Sequence, residues 1–119
     1  MTGFPDEGQT GRMIEELPES VVDVIEGITT EDSQRFLAAF TDDAVVDDWG
    51  RSFHGPAAIA SWNRSDNLDR HTRVVVTGYA RDGDRHVVAI DVSGGGFNGA
   101  GTFTFRLADD GRVARLDVT

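Results

Sequence analysis

Two acidic pairs, Asp42-Asp43 and Asp47-Asp48, bracket one short apolar run and are the residues whose spacing best suits chemistry. Adjacent carboxylates suit hard cations, but no calcium loop with a closing glutamate surrounds them, and no metal site is expected. Asp42 and Asp43 read as turn residues after a helix. Asp47 and Asp48 fall in an extended segment and must point to opposite faces, so only one can enter the interior. If Val46 is core, Asp48 shares its face. A carboxylate dried by an apolar cavity is a better proton acceptor and can serve as a general base; a carboxylate at a strand end simply meets water. The residues alone leave both readings of Asp48 open.

The other chemical residues are weaker candidates. His54, His71 and His86 lie in different segments, with no paired spacing that would hold zinc, and each reads as an exposed residue of a turn or strand start. The chain has no cysteine, which excludes disulfides, thiolate nucleophiles and Cys-based metal sites. The string Gly94-Gly95-Gly96-Phe97-Asn98-Gly99 matches a dinucleotide fingerprint by letter, but a strand follows it where that fold needs a helix. Its glycines read instead as bends between strands. No cofactor is expected.

The elements that must position these residues follow from periodicity. Leu17, Val21, Val24, Ile25 and Ile28 line one face of a helix from about Pro18 to Ile28, which Gly27 weakens near its end. Thr30 is a plausible N-cap for a second helix that buries Phe36, Leu37 and Phe40. A strand over Ala44–Trp49 and a turn at Gly50-Arg51 lead to a third helix, opened by Gly55-Pro56 and carrying Ala58, Ile59 and Trp62 on one side. The polar stretch Asn63–Asp69 ends it. Four antiparallel strands follow, at about Thr72–Ala80, Arg85–Gly95, Ala100–Ala108 and Arg112–Val118, separated by the turn signals Asp82-Gly83, Asn98-Gly99 and Asp110-Gly111. Helices first and a meander afterwards give an α+β domain over 17–119. Residues 1–16, polar and without periodicity, read as a mobile arm, with Met13 a second candidate start.

Alternation orients the sheet. Phe103, Phe105 and Leu107 share one face with Val88, Ile90, Val92 and Leu116. A two-residue turn at Asn98-Gly99 would set Val92 opposite Phe105 and Asp91 opposite Arg106, outside the core.

The formal net charge is −10, and all eleven basic residues are arginine. That sign repels phosphate backbones, so nucleic acid is not an expected partner. No apolar run is long enough for a membrane span, no secretory signal is visible, and a cytoplasmic location is the default expectation.

The run Phe40-Thr41-Asp42-Asp43-Ala44-Val45-Val46-Asp47-Asp48, then Gly55-Pro56-Ala57-Ala58-Ile59 with Trp62, resembles the nuclear transport factor 2-like superfamily. The resemblance extends over about residues 18–118, through Phe103-Thr104-Phe105-Arg106-Leu107 and Gly111-Arg112-Val113, and is strongest to the SnoaL-like branch that includes polyketide cyclases. It implies a cone-shaped half-barrel of three helices on a curled antiparallel sheet, a ligand cavity between the two layers, and a homodimer. Ketosteroid isomerases are similar in the same run, and their general base falls on Asp48. Their two oxyanion donors fall on Val24 and Phe103, whose side chains donate no hydrogen bond. An enolate here would lack those preorganised donors.

The expected site therefore has Asp48 as base and Val24, Phe36, Phe40, Trp62, Val92, Phe103, Phe105 and Leu116 as walls for a small apolar or carbonyl-containing ligand. Its chemistry would be proton transfer, leading to isomerisation or aldol-type cyclisation. The alternative is a non-catalytic ligand-binding or dimerisation module. The outward sheet face, with Thr102, Thr104, Arg106 and Arg115, is the expected dimer surface.

Overall fold

The computed structural model describes residues 16–119, so the expected N-terminal arm lies outside the described residues except for Glu16. Among the described residues three helices, α1 (Glu19–Thr29), α2 (Ser33–Ala38) and α3 (Gly55–Asp66), pack on six strands. The strands are β1 (Phe40–Asp48), β2 (Arg51–His54), β3 (Arg73–Asp82), β4 (Arg85–Ser93), β5 (Gly99–Leu107) and β6 (Val113–Val118), and a 3-10 turn, Leu68–Arg70, joins α3 to β3. The sheet order is β2-β1-β6-β5-β4-β3. Every neighbouring pair is antiparallel except β1 and β6, which run parallel, so the sheet is mixed. β2 and β3 remain as edges, and the half-barrel is open.

The helices form where the apolar spacing places them. α1 buries Val21, Val24, Ile25 and Ile28 and starts with Glu19 near its positive end. Gly27 is a packing residue rather than a weak point, because a Cβ there would come within 2.9 Å of the Phe36 Cβ and 3.0 Å of its backbone. Thr30 does not cap α2. Its hydroxyl donates to the Glu26 carbonyl at 2.7 Å and closes α1. Glu31 then takes a left-handed φ of 59°, and the α2 cap falls to Asp32, whose carboxylate accepts from the Arg35 N–H at 3.1 Å.

β1 begins at Phe40, four residues before the expected start, and its pairing with β6 shifts between Phe40 and Val45. This irregularity leaves both Asp42 and Asp43 exposed within the strand, so they are not turn residues. β2 was not expected. It pairs Asp48 with Arg51 around a two-residue turn, Trp49-Gly50, whose φ values of 52° and 89° have the signs of a type I′ hairpin.

The β4–β5 register also differs. Val92 faces Gly99, Asp91 faces Ala100, and Arg106 faces Arg85. The expected pairings of Val92 with Phe105 and of Asp91 with Arg106 are therefore displaced by six residues, because 94–98 forms a loop rather than part of a tight hairpin. The Asn98 amide fastens that loop, donating to the Gly94 and Gly96 carbonyls at 2.9 and 3.0 Å. An even displacement preserves the faces. Val88, Ile90, Phe103 and Phe105 all lie in the core with Leu116, and Asp91 stays exposed.

His86 shares that inner face and is buried, contrary to the expectation of an exposed strand start. Its Nδ1 lies 2.7 Å from the Tyr79 hydroxyl, and the two rings stack at 6.0 Å. Desolvation, and secondarily the Arg81 charge, hold its pKa below the ordinary histidine value. The unfolded chain takes up this proton near pH ~6.5 and the folded protein only at lower pH, so stability is lost as the pH falls through and below ~6.5. Urea midpoints at pH 7.5 and 5.5 are expected to fall further for the native protein than for His86→Phe. Equal falls would mean that His86 does not carry this dependence.

Candidate functional site

A cavity of about 510 Å3 opens at the end of the sheet where β1 and β6 finish and β3 and β5 begin. Its apolar wall is Val74, Ile90, Val92 and Phe103 from β3, β4 and β5. Helix α3 adds Trp62 and Asp66, its C-cap residue adds Asn67, and the β1–β2 hairpin adds Asp48, Trp49 and Arg51. Arg70, Thr72 and Phe97 complete the lining, in which Trp49 and Phe97 are 76% and 65% exposed.

Asp48 lies on the inner face with Ala44 and Val46 and is only 9% exposed. Strand alternation sends Asp47 to the other side, where it accepts from the Gly50 N–H and the Ser52 hydroxyl. Two donors meet on the Oδ2 of Asp48. The Trp62 indole N–H donates at 3.0 Å, and Arg51 Nη2 donates from across the hairpin. The same Nη2 reaches Asp66 Oδ2 at 2.6 Å, so Arg51 joins two carboxylates. Hydrogen bonding to Asp66 outweighs desolvation and, with Asp48, holds the Arg51 pKa above its ordinary value. Oδ1 of Asp48 receives no donor among the described residues and is not sealed from solvent, in a residue that lines the cavity.

Helix α3 does not end at Asn63. Ile59, Trp62, Asn63, Asp66 and Asn67 recur at helical spacing on one side, and Asn63 is 2% exposed. The Asn67 amide donates one N–H to Asn63 Oδ1 at 2.9 Å and keeps a second N–H. The Thr72 hydroxyl donates to the Asp66 carbonyl at 3.3 Å.

The structure thus brings Asp48, Trp62, Val92 and Phe103 together on the cavity. It places Val24, Phe36, Phe105 and Leu116 in the packed core beneath it, and Phe40 against Phe36 at a ring distance of 5.1 Å. Phe103 and Val24, which the resemblance sets at the donor positions of the isomerases, lie in the cavity wall and in the core. Arg51, Asp66, Asn67, Arg70 and Thr72 line the cavity without having been expected. Extending the Trp62 face by i+4 and i+5 would have found Asp66 and Asn67. Nothing in the sequence pointed to Arg51, which depends on the hairpin. The glycine string does form a bend, because a Cβ on Gly94 would lie 2.9 Å from the Arg70 and His71 carbonyls. Among the described residues no group of three or more His, Asp or Glu side chains could hold a metal.

Solved structures share this fold. A candidate polyketide cyclase from Sinorhizobium meliloti is 29% identical, with a TM-score of 0.82 over 89% of this chain and 98% of that one. A Delta 5-3-ketosteroid isomerase from Mycobacterium sp. is 21% identical, with a TM-score of 0.73 over 84% and 88% of the two chains. A Mycobacterium tuberculosis protein in complex with estradiol-17beta-hemisuccinate is 16% identical, with a TM-score of 0.74 over 83% and 88%. No curated protein matches the chain. The profile of the SnoaL-like domain matches residues 21–116, from the first buried turn of α1 to the inner residues of β6. With the open α+β cone and its cavity already in place, the chain belongs to the SnoaL-like family of the nuclear transport factor 2-like superfamily.

Proposed function

We propose that the cavity binds a small, mostly apolar carbonyl compound and that Asp48 removes a proton from the carbon next to its carbonyl. The observation that carries this reading is the division of labour within one cavity-lining carboxylate: Oδ2 is anchored by Trp62 and Arg51, and Oδ1 is left without a donor among the described residues. A fixed base beside an apolar wall meets the geometric requirement for general base catalysis. The proton passes from carbon to Oδ1, and the electron pair enters the carbonyl as an enolate. Return of the proton to another carbon gives isomerisation, and attack of the enolate on a second carbonyl gives ring closure. Asn67, with its spare amide N–H, is the neutral donor of the lining that can meet the carbonyl oxygen. The similar structures support the class of ligand, since one is named as an isomerase of ketosteroids and another holds a steroid derivative.

A second reading, binding without chemistry, is favoured by Val24 and Phe103, which leave the two isomerase donor positions apolar. The probe 2-tetralone, a bicyclic ketone with an acidic α-carbon, separates the two readings. Both tryptophans of the chain line the cavity, so their fluorescence should change saturably as 2-tetralone binds. Deuterium from D2O should then enter its α-position faster than with buffer alone. Binding without such exchange supports the second reading; absence of binding contradicts both.

A homodimer through the outer face of the sheet, with Thr102, Thr104, Arg106 and Arg115, belongs to the same proposal. Its expected mass by light scattering is twice the 12.9 kDa of the chain, and a monomeric mass would refute it.

A further inference from the structure

Four charged side chains line the cavity: Asp48, Asp66, Arg51 and Arg70. Arg51 is committed to both carboxylates. Arg70 makes no ion pair and no side-chain hydrogen bond among the described residues, although the chain carries an excess of acid. Its backbone is pinned on both sides. Its N–H donates to the Asn67 carbonyl at 3.1 Å, and its carbonyl accepts from the Gly95 N–H at 2.7 Å. Its stem runs along the glycine loop, where a Cβ on Gly96 would meet Arg70 Cγ at 3.5 Å, next to the exposed ring of Phe97. A fixed backbone therefore places Arg70, an exposed arginine with no partner among the described residues, at the edge of the cavity beside its apolar wall.

We infer that the ligand carries a carboxylate, which Arg70 binds at the mouth while the apolar body lies against Val74, Ile90, Val92 and Phe103. A guanidinium is weakly hydrated and matches a carboxylate with two parallel hydrogen bonds, so an uncommitted one at a cavity wall selects this group over a neutral polar one. Asp48 and Asp66 are already joined by Arg51 and offer an acid no free cation, so Arg70 is the group left to take it. The ligand is then oriented with its acid at Arg70 and its carbonyl at Asp48. Trp49 and Phe97 then cover the part of the ligand that remains outside the apolar wall. The inference rests on the cavity being a ligand site, as proposed above, and narrows its substrate class to keto acids with an apolar body.

The test uses 2-naphthoate and its methyl ester, which share an apolar body and differ in the charge. Each is titrated against tryptophan fluorescence in the native protein, Arg70→Gln and Arg70→Lys. The acid is expected to bind native protein at least about tenfold more tightly than the ester. Arg70→Gln should remove that preference by weakening the acid alone, Arg70→Lys should retain part of it, and added salt should weaken only the acid. Preference for the ester, or equal loss of both compounds in Arg70→Gln, overturns the inference and leaves the cavity reading standing. Binding of neither compound overturns both.

Discussion

Phe36→Ala is expected to destabilise the domain by about 3–5 kcal/mol, the range for removing a fully buried aromatic side chain. Phe36 has no exposed surface and joins three parts of the molecule. Its ring packs 5.1 Å from Phe40 at the start of β1 and 6.3 Å from Trp62 in α3, and its backbone sits against Gly27 of α1. The Gly27 contact is to the Cβ and backbone of Phe36 and survives in alanine, so the hole opens between Phe40 and Trp62, which are themselves held in the packed core. A domain of this size has only about 5–15 kcal/mol of stability to lose, so the effect should be plain in a urea melt. Phe36→Leu should recover most of it. A loss below about 1 kcal/mol would mean that Phe36 borders open space, as a cavity wall does, and that the cavity reaches further into the molecule.

Phe36 also illustrates what the sequence can reveal. Its burial is legible from the i, i+1 and i+4 pattern of Phe36, Leu37 and Phe40, and so are the faces of β4, β5 and β6. The α+β class, the third helix and the inner position of Asp48 follow from the same periodicities. Periodicity does not separate a core residue from a cavity wall, because both are apolar and both face inward. Trp62, Val92 and Phe103 line the opening, whereas Val24, Phe36, Phe105 and Leu116 are packed beneath it. The difference depends on how far the sheet curls and where its strands end.

The polar partners of Asp48 are hidden for another reason. Arg51 reaches Asp48 because Trp49 and Gly50 adopt left-handed conformations that fold β2 back on β1. A bulky tryptophan in that conformation breaks the usual preference for Asn or Gly, so the hairpin left no signature. The β4–β5 register was misread because Asn98 clasps a longer loop through side-chain bonds that spacing does not encode. Parity was still right, since the displacement was even.

Asp48→Asn should cut proton transfer by about two to four orders of magnitude, the usual contribution of a positioned general base. The side chains are isosteric, and the asparagine carbonyl can still accept from Trp62 and Arg51 while its amide faces the cavity. Arg51 is more than half exposed and keeps Asp66 as a partner, so loss of one ion pair should change stability by less than about 1 kcal/mol. Binding of 2-tetralone should survive for the same reason, because Trp62 and the apolar wall are untouched.

Solvent-deuterium incorporation into 2-tetralone, followed by NMR at saturating ligand for the native protein and Asp48→Asn, tests the central claim most directly. The role assigned to Asp48 predicts protein-dependent exchange in the native protein and a rate near that of buffer in the variant, with ligand affinity unchanged. Exchange at the same rate in both proteins would contradict it and remove Asp48 as the base.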